Sequence, residues 1–303
     1  MRDFYAKILL FGEYSVVVGS SALSVPYLRY SGRLDFETNR SSWDMAESGR
    51  SIREWLKYML TVDSSGASGL DLKAIGEDVS KGLYFNSDIP QKYGMGSSGA
   101  LIAAIFDRYS KFRVGNNISS EEIKELKSIL ALSESFFHGT SSGFDPLSVM
   151  AGRPIIYQNG NFVFPDIRYV DAFLSGFYLI DTGKPSSTGE FVNGFLKKIG
   201  TGKMKTVFKE SYLPAVEEAI RISTKNDGSD LGRVFPVISR FQYEYMREMI
   251  PPEIQTIWER GLKSGDYYMK LCGSGGGGFM LVWSPVRVPE IEKSFGPRVL
   301  PVR

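Results

Sequence analysis

Residues 90–100 read Pro90-Gln91-Lys92-Tyr93-Gly94-Met95-Gly96-Ser97-Ser98-Gly99-Ala100. Three glycines and two serines stand directly before an apolar run, Ala100 to Phe106, with helix-forming residues and no breaker. A glycine loop that opens a buried helix presents backbone N–H groups at the positive end of the helix dipole. Phosphate is the ligand that suits such a loop. The competing reading is a tight turn in which Ser97 or Ser98 caps the helix.

The type of loop can be narrowed. Gly94-x-Gly96-x-x-Gly99 fits the letters of the dinucleotide fingerprint. That fingerprint needs a strand running into its first glycine and an acid about 20 residues on. Here Pro90, Gln91 and Lys92 intervene, and Glu121 and Glu122 come too late. The chain holds no G-x-x-x-x-G-K-[ST] string and no H-R-D or D-F-G triplet, so Walker-type and protein-kinase machinery are absent.

Other residues could do chemistry with it. Lys7 lies inside the apolar run Phe4 to Phe11, and Glu13 stands just past its end. A buried lysine calls for an anionic partner or ligand, while a lysine at a sheet edge does not. Glu134 shares the apolar stripe of Ile123, Leu126, Leu130 and Phe137 on a helix opened by the capping box Ser119-x-x-Glu122. A carboxylate on that face needs a cation or hydrogen bonds. The loop His138 to Pro146 follows. His138 reads as a favourable residue for the helix dipole. Asp145 reads either as a helix cap before Pro146 or as a catalytic carboxylate on a loop, and the local sequence favours the cap. Near the end, Gly273-Ser274-Gly275-Gly276-Gly277-Gly278 interrupts two apolar strands. Glycine is costly to order, so such a run implies close backbone approach to something.

These residues need elements to hold them. Residues 4–11 predict a strand, 15–18 a second β-rich run ended by Gly19, and 49–62 an amphipathic helix. Residues 80–88 predict a strand, 97–112 a helix, and Gly115-Asn116-Asn117 its stop. Strands over 153–164 turn at Asn159-Gly160. Residues 177–180 predict a short strand that runs into a polar loop, Asp181 to Gly189. Helical patterns cover 189–199, 205–225, 228–248 and 252–264, and strands flank the glycine run. A domain boundary is expected near 165–172, which gives domains 1–168 and 169–303.

Composition excludes several classes. The net charge of +2 and the lack of a dense basic stripe argue against nucleic acid. One Cys excludes an internal disulfide, and one His with one Cys argues against a zinc site or a Ser-His-Asp triad. No stretch reaches the roughly 20 apolar residues that span a bilayer, and the start is not that of a signal peptide. No membrane partner and a cytoplasmic location are therefore expected. A homodimer is left open, since the sequence fixes no oligomeric state.

Taken in order, Lys7-Ile-Leu-Leu-Phe-Gly12-Glu13-Tyr14, Gly94-Met-Gly-Ser-Ser98, Glu134 to His138-Gly139 with Ser142-Gly-Phe-Asp145, and Leu271-Cys-Gly-Ser-Gly-Gly-Gly-Gly278 resemble the GHMP kinase family over nearly the whole chain. The resemblance implies an α+β, two-domain GHMP kinase fold. Its N-terminal domain would be like ribosomal protein S5 domain 2 and its C-terminal domain ferredoxin-like. It implies ATP and Mg²⁺ as cofactors and a small-molecule alcohol as substrate. Pro90, Gly94, Met95, Gly96, Ser97, Ser98 and Gly99 would bind the nucleotide, and Ser98 and Glu134 the metal. Asp145 would be the catalytic carboxylate, with Lys7 beside it keeping it ionised. Glu13, Gly273, Ser274 and Gly275 would lie on the substrate side. The chain departs from the family in three places. Tyr14 stands where the most similar branch usually has His, Thr140-Ser141 replaces Asn-Pro, and Gly99 replaces Ala.

Overall fold

The computed structural model describes residues 1–303 except 38–42, 113, 115–117, 187–188, 200–201, 226–230, 274, 287–291 and 294. The stop expected at Gly115-Asn116-Asn117 and the site residue Ser274 lie outside the described residues. Two compact units form. The first holds Met1–Lys7, Pro26–Pro90 and Gly96–Arg153, and the second Ile8–Val25, Gln91–Met95 and Pro154–Arg303. Two early segments, Ile8–Val25 and Gln91–Met95, group with the C-terminal half of the chain.

Strands β1 (Phe4–Phe11) and β2 (Ala22–Phe36) are neighbours in one sheet and pass through both units. β1 is buried at every position but Tyr5, which explains its nearly unbroken apolar run. The β-rich run after it is no strand. Val16–Val18 forms one 3-10 turn, with Val16 N–H donating to Gly12 O at 3.0 Å, and Gly19 ends it at φ 88°. The chain must reverse here to bring β2 beside β1, and that requirement overrides the β preference of three valines.

In the first unit, α1 (Trp43–Val62) packs on β3 (Leu83–Ser87), which pairs antiparallel with the end of β2. α2 (Leu72–Ser80) is capped by Asp71, whose side chain accepts from Ala74 N–H. The heart of the unit is α3 (Ser97–Tyr109), buried continuously from Gly99 to Phe106. An apolar surface all round is what a fully enclosed helix requires. It packs on α4 (Ser120–His138) and α5 (Phe144–Ala151). The α3–α5 approach is close because residue 99 is glycine. A Cβ there would stand 2.9 Å from Pro146 N and 3.0 Å from the Asp145 carbonyl carbon. The expected capping box of α4 is present in both its hydrogen bonds.

In the second unit, β4 (Ile155–Gln158) and β5 (Asn161–Val163) form the expected hairpin. Both of its turn residues, Asn159 and Gly160, sit at positive φ. α6 (Ile167–Leu174) leads to β6 (Phe177–Asp181). Helices α7 (Gly189–Ile199), α8 (Gly202–Val207), α9 (Leu213–Ser223), α10 (Leu231–Tyr245) and α11 (Pro252–Ser264) follow. A π-helical turn, Phe208–Tyr212, breaks the single helix expected over 205–225. β7 (Tyr268–Leu271), β8 (Phe279–Trp283) and β9 (Val299–Pro301) complete an antiparallel sheet of order β7-β8-β6-β9. Its core includes Phe11, Phe177 and Phe235, with the half-buried Phe173 against them and ring centroids 5.2–6.4 Å apart.

Candidate active site

The glycine loop opens α3 without a serine cap. Gly96 is the N-cap, in the left-handed region at φ 74°, and has no side chain with which to cap the first-turn N–H groups. Ser97 and Ser98 are already helical, which corrects the capping assignment. The reason is steric. A Cβ at Gly96 would stand 2.9 Å from Lys7 Cγ, so only glycine lets the lysine stem pass, and glycine then takes the cap conformation. The first N–H groups of a helix have no intrahelical acceptor, so an uncapped start leaves them for an anion. Gly94 is also left-handed, at φ 74°. Met95 is buried and Pro90 half-buried, which anchors the loop at both sides of Gly94.

Lys7 and Asp145 meet. Lys7 Nζ lies 2.8 Å from Asp145 Oδ2; the lysine side chain is 4% exposed and the aspartate 37%. A buried cation thus holds a carboxylate that is open to a ligand. Asp145 is not the cap of α5, as the local sequence had favoured. Gly143 takes that place at φ 71°, and Asp145 falls in the first turn. Gly143 is forced there by α4, since a Cβ would stand 2.2 Å from Lys127 O.

Glu134 faces inward, as its helical spacing implies, and is 4% exposed. Its Oε1 accepts from Ser98 Oγ at 3.1 Å and its Oε2 from Ser141 Oγ at 2.5 Å. Burial pushes its carboxyl up to about 7, and the negative charge of Asp145 adds to this. The two hydroxyls and Lys7 pull the other way. Ser98 Oγ also lies 3.0 Å from Nε2 of His138, the only histidine in the chain. Burial holds that imidazole below its ordinary range against the pull of Asp145.

This oxygen set fits Mg²⁺. Adjacent ligands of an octahedral Mg²⁺ at about 2.1 Å stand about 3 Å apart, and Ser98 Oγ and Glu134 Oε1 are separated by 3.1 Å. A desolvated carboxylate beside a second carboxylate also gains from a cation. Among the described residues no group of three His, Cys, Asp or Glu could hold a metal alone.

In the second unit Glu13 is ion-paired with Lys270, the two side chains being 2% and 1% exposed. Tyr14 is 1% exposed and its ring packs on Phe195 at 4.7 Å. Burial, with Glu13 next, raises its phenol above the ordinary range. The glycine run is ordered by protein. Cβ atoms at Gly275, Gly277 and Gly278 would fall 2.9 Å from Met249 Cβ, 2.6 Å from Pro185 O and 2.9 Å from Tyr93 Cα. One at Gly273 would come 3.3 Å from Gly94 Cα. The close approach implied by so much glycine is therefore to backbone and side chains of the same unit, including the front of the first glycine loop.

Three residues escaped the sequence. His138 and Ser141 are partners of Ser98 and Glu134, respectively. Ser141 stands where the chain departs from the family, and its hydroxyl supplies a bond to the buried carboxylate. Lys270 carried the signal that marked Lys7, a lysine within an apolar strand.

A helix start that holds phosphate with main-chain amides needs no Walker lysine. An aspartate set against a buried lysine suits a neutral hydroxyl acceptor. The class so defined is a small-molecule kinase. Residues 61–153 match the family model of the GHMP kinases N terminal domain, and residues 213–301 match that of the GHMP kinases C terminal domain. The chain belongs to the GHMP kinase family. It has that family's two-domain α+β fold and is an ATP-dependent phosphotransferase acting on an alcohol. A mevalonate kinase of Pyrococcus horikoshii is 26% identical over 321 aligned positions, covering 94% of this chain and 89% of that protein. The structure of L. major mevalonate kinase in complex with R-mevalonate superposes with a TM-score of 0.61 at 19% identity, over 98% of this chain and 93% of that one. A Lactococcus lactis galactokinase complexed with galactose gives 0.60 at 15% identity, over 93% and 84%. These likenesses carry the fold, which serves more than one acceptor.

Proposed function

We propose that this chain transfers the γ-phosphoryl group of ATP to mevalonate, giving 5-phosphomevalonate, with Mg²⁺ held by Ser98 and Glu134. The observation that carries the reading is the Lys7–Asp145 pair, in the same unit as the Ser98–Glu134 pair. The choice of mevalonate is supported by full-length relatives of that name. Asp145 accepts the proton of the acceptor hydroxyl as that oxygen attacks the γ-phosphorus. The bond from this phosphorus to the bridging oxygen breaks, and ADP leaves. Lys7 offsets charge as it develops on the attacking side. Backbone N–H groups at the start of α3, from Ser97 to Gly99, would bind the phosphates. Mg²⁺, when bound, neutralises phosphate charge and lowers the barrier to transfer.

Lys184, which could meet a phosphorylated acceptor, is paired with Glu253 at 2.9 Å. An acceptor panel with a coupled ADP assay tests the assignment. Mevalonate should give ADP at the highest kcat/KM. Preference for phosphomevalonate or a sugar would reassign the acceptor. ATP binding with no turnover on any alcohol would remove catalysis altogether. The location proposed is the cytoplasm; no described helix is long and apolar enough to cross a membrane.

A further inference from the structure

The buried Glu13–Lys270 ion pair has no task in the reaction as described. Ions with 2% and 1% exposure are costly to desolvate, and well-packed apolar residues in their place are often as stable. Such a pair therefore calls for a use in fixing geometry. Both ends are rigidly seated. Glu13 follows Gly12, which sits at φ 108° so tightly against β2 that a Cβ would fall 2.6 Å from Ala22 Cα. Lys270 lies on β7, two residues before Cys272 and the glycine run.

β7 is an edge strand, and its outward N–H groups are met by side chains of α10 in place of another strand. Ser239 Oγ accepts from Met269 N–H at 3.2 Å, and Gln242 Oε1 accepts from Leu271 N–H at 2.7 Å. Both α10 side chains are fully buried. Gln242 donates in turn to Tyr212 OH at 3.0 Å, and Trp258 Nε1 donates to Ser239 Oγ at 2.9 Å. Lys270 Nζ closes the set by donating to Glu13 Oε1 and to Leu271 O, the latter at 2.8 Å. Both peptide groups of Leu271, the last residue before the loop, are thus held by buried side chains. From there the loop runs past Gly94 and Met249. Gly276 N–H donates to Met249 O, and Gly278 N–H to Lys184 O, each at 2.6 Å.

We propose that Lys270 is a positioning residue: pinned by Glu13 and braced by Gln242, it sets the root of the glycine loop, Cys272 and Gly273, against Gly94. Glu13 then acts on the loop through Lys270 and not as a direct contact to the acceptor. The consequence for turnover rests on the kinase reading above, whereas the mechanical claim does not.

The test is a double-mutant cycle of Glu13→Gln and Lys270→Met with two readouts. Amide hydrogen exchange over residues 272–278 is measured without substrates, and kcat and KM for ATP and for mevalonate are measured separately. Each single variant should speed loop exchange at least tenfold and raise KM for ATP. The double variant should be no worse than either single one. Exchange unchanged in Lys270→Met overturns the proposal. So does a Glu13→Gln defect confined to KM for the acceptor, or single effects that multiply in the double variant. Gln242→Met removes the Leu271 N–H acceptor, together with the donor to Tyr212 OH, and leaves the ion pair intact, which guards against loss of folding. It should speed exchange of the loop amides, and unchanged exchange there also counts against the proposal. Because exchange needs no substrate, its outcome stands even if mevalonate proves not to be the acceptor.

Discussion

Replacing Glu134 by glutamine should make the ligand-free protein more stable while removing its turnover. The carboxyl is 4% exposed and is raised from 4.5 to about 7. Between those two values the native state holds a proton that the unfolded chain has released. Stability is therefore highest below the unfolded value and falls as pH rises through about 7. At about 1.4 kcal/mol per pH unit, the ionised side chain costs on the order of 3 kcal/mol at pH 8. Glutamine keeps the shape and can still bond both Ser98 and Ser141, whose hydroxyls rotate to suit. Glu134→Gln should then melt roughly 5 °C above the wild type at pH 8 in the presence of a chelator. The gap should shrink as pH falls toward 5, where the wild-type carboxyl is protonated. Magnesium and nucleotide together should raise the melting temperature of the wild type and do so much less for the variant. Thermal unfolding by circular dichroism at both pH values reads all of this. A variant that melts lower than wild type at pH 8, or by the same difference at both pH values, refutes the reasoning.

Lys7→Met removes the charge 2.8 Å from Asp145, and kcat should fall by roughly 10²-fold or more while nucleotide still binds, read by steady-state kinetics and calorimetry. Gly99→Ala gains up to about 1 kcal/mol of helix propensity. It also forces a methyl against backbone atoms at 2.9 and 3.0 Å that cannot yield, which costs about 1–3 kcal/mol. The net should be a lower melting temperature together with reduced kcat, because α5 carries Asp145. Gly94→Ala meets both a φ of 74° and the Cys272 carbonyl oxygen 3.0 Å away. A loss of about 1–2 kcal/mol there should raise KM for ATP by about tenfold.

The parts of the site carried by local rules were legible in the sequence. Glycine density marked both loops, and helical spacing alone turned Glu134 inward. The capping box of α4 and the Asn159-Gly160 hairpin followed from short-range chemistry alone. What failed depended on contacts distant in sequence. Asp145 resembled a cap because proline follows it, and only the Lys127 carbonyl against Gly143 shows why the cap lies two residues earlier. His138 looked like a dipole residue because its partner, Ser98, is 40 residues away. Three valines suggested a strand at 16–18, but the return of the chain to β2 needed a turn. The glycine run correctly signalled close approach, yet its neighbours are carbonyls and side chains of the protein itself.

In the proposed reaction Asp145, set by Lys7, takes the acceptor's proton while main-chain amides hold the phosphates. The direct measurement compares wild type and Asp145→Asn for ADP formation from ATP, Mg²⁺ and mevalonate, alongside nucleotide affinity. ADP should form only when mevalonate is present. The asparagine variant should lose turnover by roughly 10³-fold or more with nucleotide affinity nearly unchanged. Turnover within a factor of about ten of wild type, or ADP formed at the same rate without an alcohol, would contradict the account.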